Sequence, residues 1–216
     1  MLCVLGAGNG NDLDLARLAT LFDRIHLVDI DADALRAGTS RHPVAAADVR
    51  EHGHLDLSVL TGEEVVQTLG ERADVVVSAT VLTQLIDDAR ATTPTPLTPD
   101  TLAVVRAAHL SQMIRLTRHG GAGVLVNDLV SSHTLPDLDM VADRALPQLM
   151  LAVLQAGNFF AGSNPYAVCA HLAGGAGLPG RVKGITLHPP WVWRMGHRTS
   201  RLTYAVSYRR PETAGP

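Results

Sequence analysis

Gly6, Gly8 and Gly10 stand at alternate positions directly after a short apolar run, residues 2–5. Glycine at that spacing lets the chain take positive φ and lets a ligand lie against bare backbone. The N–H groups opening the next helix then point at the ligand's polar end. Gly6, Ala7, Gly8 and Gly10 are therefore candidate binding positions. Asp29 follows the turn at about the 20-residue offset from which a carboxylate accepts both ribose hydroxyls. Further on, Asn127, Asp128 and His133 follow a valine-rich run. His133 has the intrinsic pKa of a general base, and Asp128 is a second candidate to face a substrate. A lone loop histidine is nonetheless more often structural. His52, His54 and Asp56 sit close together but lack metal-ligand spacing, so residues 51–58 read as a polar loop and no metal is expected.

These residues need a scaffold that brings strand ends together. Residues 2–5 read as a buried strand, and Leu15, Leu18, Ala19 and Phe22 as one face of the helix after it. Strand, glycine turn and helix form the entry unit of a doubly wound fold. Residues 25–28 read as a second strand ending at Asp29. Asp31 or Asp33 caps a helix through Leu35, with Gly38 near its end. Residues 44–47 read as a third strand, which Asp48 and Val49 follow. Residues 73–79 read as a strand, with Val75, Val76 and Val77 in a continuous apolar run, as in a central parallel strand. Residues 91–100 hold three prolines and read as a loop. Thr98 and Pro99 start a helix that runs to about His119, with Gly120 and Gly121 as its stop. Residues 124–126 form the fifth strand. Pro147 kinks or splits a helical stretch over residues 139–155, and Pro165 starts another helix through Leu172. Residues 182–195 and 202–208 pair as the last two strands. Trp191 and Trp193 share one strand face, where packing on the last helices outweighs stacking on a planar acceptor.

The glycines follow G-x-G-x-G; the dinucleotide pattern G-x-G-x-x-G has Asn11 at its third glycine position. With Asp29-Ile30-Asp31, this resembles the class I S-adenosylmethionine-dependent methyltransferases. The resemblance implies an α/β, doubly wound, mostly parallel seven-stranded sheet (Rossmann-like, order 3-2-1-4-5-7-6) with an antiparallel C-terminal hairpin. It implies S-adenosylmethionine as cofactor, Asp29 on the ribose and Ile30 packed on adenine. Asp48 then accepts from the adenine amine, and the Val49 N–H serves a ring nitrogen. Ala79 and Thr80, after the fourth strand, line the methyl-donor cleft. That family usually carries an acid two positions before the first glycine. This chain has Val4 there, which leaves Asp12 or a residue elsewhere to meet the methionine amino group. Family members also carry helices before the first strand; here that cap is absent or the start lies upstream. The Asp/Asn-Pro-Pro-Tyr/Phe segment of nucleic-acid amino-methylating enzymes and the Pro-Cys pair of cytosine C5 enzymes are both missing.

The 216 residues suit one domain, taken as residues 1–208 with a frayed polar tail over 209–216. A net charge of −3 gives no footprint for nucleic acid or an anionic membrane. Cys3 and Cys169 form no C-x-x-C pair, so Cys3 reads as core. No run approaches the roughly 20 apolar residues of a membrane helix, and the start carries no secretory leader. The expectation is a cytoplasmic methyltransferase acting on a small molecule. Two alternatives stand beside it: a protein that binds S-adenosylmethionine or S-adenosylhomocysteine without transfer, and an NAD-dependent oxidoreductase.

Overall fold

The apolar run at the start forms β1 (Leu2–Leu5), buried along its whole length, and β1 lies mid-sheet. The computed structural model describes residues 1–41, 47–174, 178, 182–195 and 199–212. β2 (Arg24–Val28) and β4 (Ala73–Ala79) flank β1 in parallel, with Leu5 level with Val28 on one side and Ser78 on the other. Three strand tips therefore end side by side. β3 (Asp48–His52) lies outside β2, and β5 (Thr117–Ser131) lies beyond β4, both parallel to their neighbours. β8 (Thr199–Arg209) runs antiparallel to β5 and pairs on its far side with β6 (Lys183–Leu187) and β7 (Trp191–Met195). The order is β3-β2-β1-β4-β5-β8-β6, with β7 also on β8. It is the expected doubly wound, mostly parallel sheet with its antiparallel end. The expected sixth strand is two strands, because Pro189 and Pro190 separate β6 from β7 and proline offers no N–H to a ladder.

Helices cover both faces. α1 (Leu15–Leu18) and α2 (Ala32–Arg41) pack Leu15 and Leu35 on Leu2, Val4, Ile25 and Leu27. The other face carries α3 (Gly62–Leu69), α4 (Val81–Thr92), α5 (Pro99–Leu116), α6 (Leu146–Gln155) and α7 (Pro165–Gly174). Their side chains Val65, Leu82, Ile86, Leu110, Met150 and Val168 join Cys3, Leu5, Val76, Leu125 and Val206 in one core. A fully buried aliphatic side chain is worth about 2 kcal/mol, so the sheet's middle is a rigid platform. Cys3 belongs to it, and burial pushes its thiol up to about 12.

Five local expectations change. The described third strand is Asp48–His52; most of the expected strand over residues 44–47 falls in residues 42–46, outside the described ones. α1 is a single turn and ends before Phe22. α5 stops at Leu116, because Thr117 turns extended, caps Met113 O with its hydroxyl at 2.8 Å and pairs with Ala73. His119, Gly120 and Gly121 thus belong to β5, not to a helix end. The 139–155 stretch is split rather than kinked: short turns over Pro136–Met140 and Asp143–Ala145 precede α6, and Pro147 sits in its first turn, where proline is tolerated. Residues 209–212 are not frayed: Arg209 pairs with Ala122, and Arg210 donates to Ile114 O at 3.1 Å and Thr117 O at 2.6 Å.

Candidate functional site

The tip of β1 supplies the turn. Gly6, Gly8 and Gly10 have φ of 72°, 52° and 66°, a region that glycine enters without strain. Gly6 and Ala7 donate to Val28 O at 2.9 and 3.2 Å, which fixes the turn to the tip of β2. A Cβ on Gly6 would strike Val81 and come within 2.9 Å of Ala79 O, so the turn lies directly on the end of β4. A Cβ on Gly8 would instead meet nothing within 4 Å and would project into open space. That space over bare backbone is the candidate cradle. Asp29 stands beside it: its Oδ2 accepts from Gly8 N at 2.7 Å and its Oδ1 from Asp31 N at 3.0 Å. Each oxygen keeps a lone pair for a further donor. Ile30 is 61% exposed beside it, an apolar surface with no protein cover. Asp31, not Asp33, caps α2, accepting from Asp33 N and Ala34 N.

α2 supports the turn from below through Gly38. A Cβ there would collide with Asn9 O and reach Gly10 N at 3.2 Å, and neither atom belongs to a side chain that can swing away. Gly38→Ala should therefore destabilise the fold by about 1–3 kcal/mol through overpacking. The roughly 1 kcal/mol that alanine gains over glycine in a helix offsets only part of this, because the collision is with the backbone oxygen of Asn9. Urea unfolding of the variant checks the sign.

The base end differs from expectation. Asp48 is the first residue of β3, level with Arg24 at the amino end of the sheet, and pairs with Arg50 at 2.7 Å. The glycine turn lies at the carboxyl end. Asp48 and Val49 are thus a strand's length from the cradle and cannot serve it. The loop after β3 lies against Asp29 and Ile30 instead. Asp29 N donates to His52 O at 3.1 Å, His54 N to Ile30 O at 3.2 Å and Leu55 N to Asp29 O at 3.3 Å, drawing that loop onto Asp29 and Ile30. Leu55, Asp56 and Leu57 then line a narrow cleft with Gly6, Asp29, Ile30, Val81, Gln84 and Leu85. Asp56 Oδ1 accepts from Ser58 N at 2.8 Å, and the hydrogen bonds from Ser58 hold its carboxyl below the usual range. The sequence carried one signal for Asp56: it is the first acid after β3 once that strand starts at Asp48.

On the other side of the turn, Ala79 and Thr80 end β4. Thr80 holds φ 58°, strained for a β-branched residue, and donates its N–H to Val126 O at 2.9 Å. Ala79 shares an apolar groove of about 310 Å³ with Asp12, Leu13, Val77, Val126, Trp191 and Trp193. The tryptophans do not pack on the last helices. Trp193 Nε1 donates to Asp12 Oδ1 at 3.0 Å, across from the glycine turn. Val4 is buried in the strand, so Asp12 is the carboxylate on this rim.

Asp128 does not face a substrate. It is 1% exposed, ion-paired with Arg201, and accepts from Thr203 Oγ1 at 3.1 Å. Burial raises its pKa despite these two partners. A bulge beside it, between Asp128 and Val130, turns successive side chains inward. Asn127 is buried too, accepting from Thr83 Oγ1 at 2.9 Å. His133 is exposed, in an open cleft with Ser131, Phe160, Met195, Thr199 and Arg201. It is the one sequence-derived base candidate that solvent reaches. Among the described residues, no group of three or more His, Cys, Asp or Glu is placed to hold a metal, and no helix is long and apolar enough to cross a membrane.

No protein-family model and no curated protein sequence matches this chain. Solved structures do. A SAM-dependent methyltransferase from Methanosarcina mazei is similar at TM-score 0.54 and 13% identity, over 98% of this chain and 92% of that one. A protein solved in connection with conversion of a disulfide bond into a thioacetal group during echinomycin biosynthesis is similar at 0.51 and 16%, over 99% of this chain and 77% of that one. The methyltransferase SibL in its apo form is similar at 0.50 and 15%, over 98% of this chain but only 50% of its own. In strand order, strand direction and the glycine turn at the tip of β1, this chain has the fold of the class I S-adenosylmethionine-dependent methyltransferases.

Proposed function

We propose that this chain is an S-adenosylmethionine-dependent methyltransferase acting on a small-molecule acceptor. One observation carries the choice of cofactor: the glycine turn has an acidic rim. Asp12 stands at the turn, and Asp14 caps α1, accepting from Arg17 N at 3.0 Å. A dinucleotide places its pyrophosphate at that helix start. Two carboxylates there repel it, and they suit a ligand whose far end carries an ammonium and a sulfonium. This counts against the NAD-dependent alternative.

The donor set fits the remainder of the ligand. Asp29 has acceptor capacity for two ribose hydroxyls, the Gly8 cradle gives the ligand room, and Ile30 and Leu57 offer apolar cover for a base. Asp56 stays ionised, so it can accept from an exocyclic amine. When bound, the cofactor would supply an activated methyl group, whose carbon an acceptor N, O or C bonds as the C–S bond breaks and S-adenosylhomocysteine leaves. The chain's own residues hold the donor, orient it and exclude water. In this reading His133, exposed on the open cleft, takes a proton from the acceptor, while Asp128 and Arg201 neutralise each other behind it.

Incubation with S-adenosylmethionine labelled in its methyl group, against panels of amine, hydroxyl and aromatic acceptors, tests this. Acceptor-dependent transfer of label supports the reading. Tight binding of S-adenosylhomocysteine with no transfer to any acceptor favours a binding protein instead, a reading that fits the missing acid at Val4.

A further inference from the structure

We infer that His109 and Gln112, on α5, are positioning residues for the donor's base. They hold the segment that walls its cleft, so the inference rests on the donor site proposed above. A buried polar chain runs from the sheet to that segment. Ser78 Oγ lies 2.8 Å from His109 Nε2, and His109 Nδ1 lies 3.2 Å from Gln112 Oε1. The Gln112 amide nitrogen donates to Leu57 O at 3.2 Å and to Leu60 O at 2.7 Å. Ser78, His109 and Gln112 are 0%, 1% and 3% exposed, so water does not compete for the bonds among these three side chains.

The proton positions follow from the two carbonyls. They accept only, so Gln112 must present its NH₂ to them and its oxygen to His109. His109 Nδ1 therefore carries the proton, and Nε2 accepts from the Ser78 hydroxyl. Burial lowers the His109 pKa to about 4, so the ring is neutral at pH 7 and keeps that tautomer.

Packing alone does not fix the segment. On the side towards α5, Leu57 and Leu60 border a cavity of about 430 Å³ that Leu85, Val105, His109 and Gln112 also line. That pocket leaves the segment less closely covered towards α5, and the two bonds from Gln112 tie the Leu57 and Leu60 carbonyls to the helix. Leu57 directly follows Asp56 in the base cleft. The start of α3 is held close as well: a Cβ on Gly62 would come within 2.9 Å of Gln112 O. Ser78 anchors the far end, being level with Leu5 on β1 and Leu125 on β5.

The test reads base recognition separately from folding. S-adenosylhomocysteine and its deaminated analogue, S-inosylhomocysteine, differ at the exocyclic position that Asp56 would meet. Both are titrated calorimetrically into the wild-type chain and into Gln112→Met, Ser78→Ala and His109→Asn, well below each melting temperature. The wild type should prefer the adenine ligand. Gln112→Met should weaken it about tenfold, the worth of one to two hydrogen bonds, and should narrow the preference between the two ligands. Ser78→Ala, a small change that tests the chain if Gln112→Met does not fold, should move the preference the same way by less. His109→Asn keeps a donor for Gln112 and should retain most of it. Equal weakening of both ligands, or none, overturns the positioning role. A wild type that binds neither ligand overturns the donor site itself, a result distinct from either.

Discussion

Asp29→Ala should lower affinity for S-adenosylhomocysteine about 100-fold or more. The carboxylate is asked to accept from two ribose hydroxyls, and hydrogen bonds to a charged group are worth about 1.5–3 kcal/mol each. Two of them amount to at least 3 kcal/mol, and every 1.4 kcal/mol is a factor of ten. The same change removes the acceptor for Gly8 N and for Asp31 N, so the turn and the start of α2 both lose a tether. Asp29→Asn keeps one side-chain oxygen and should lose less. Calorimetric titration of both variants checks the order. Equal affinity of wild type and Asp29→Ala would remove the ribose from this site.

A second large effect is acid lability between pH 6.5 and about 4. His26 is wholly buried and stacks on His52, with ring centroids 4.9 Å apart and Nδ1 to Nε2 at 2.8 Å. Burial lowers its pKa to about 4, and the nearby His52, Arg50 and Arg24 push in the same direction. His109 is lowered to about 4 by burial. His52 and His171 shift the same way. Below pH 6.5 the unfolded chain takes up protons that the folded chain refuses. Stability is therefore complete above 6.5 and falls as pH drops towards 4. At 1.36 kcal/mol per unit, His26 and His109 each account for about 3 kcal/mol. Together they approach the whole stability of a typical domain, about 5–15 kcal/mol. Urea unfolding at half-unit steps from pH 7.5 to 4.5 should show a steep decline. His109→Asn, which cannot titrate, should flatten it. A stability independent of pH across that window would contradict the account.

The sequence made some elements plain and hid others for physical reasons. β1, β2 and β4 lie in the middle of the sheet, and their apolar cores, Leu2–Leu5, Ile25 with Leu27 and Val28, and Val75–Val77, stand out in the sequence. The turn after β1 needs positive φ at three positions, and glycine shows that directly. Asp29 follows because its distance from the turn is set by one helix and one strand. β3 is an edge strand with exposed Asp48, Arg50 and Glu51, so its composition carries no strand signal. The neighbouring apolar residues 44–47 drew the assignment to themselves. That displacement moved the acid proposed for the base from Asp56 to Asp48, and the cleft lining at Leu55, Asp56 and Leu57 falls in a loop that reads as merely polar. The end of α5 was misread because Gly120 and Gly121 signal a helix stop, whereas pairing with Ala73 starts β5 already at Thr117. Asp128 looked available because its position at a strand's carboxyl end is legible, but its partner Arg201 is 73 residues away in sequence. The groove beside Trp191 and Trp193 depends on a contact with Asp12 across 181 residues, which no local pattern encodes.

The most direct test is calorimetric titration of the wild-type chain with S-adenosylhomocysteine and, separately, with NAD. The account predicts saturable binding of the first at one site per chain and no binding of NAD at the same concentrations. Tight binding of NAD, with S-adenosylhomocysteine silent, would contradict it.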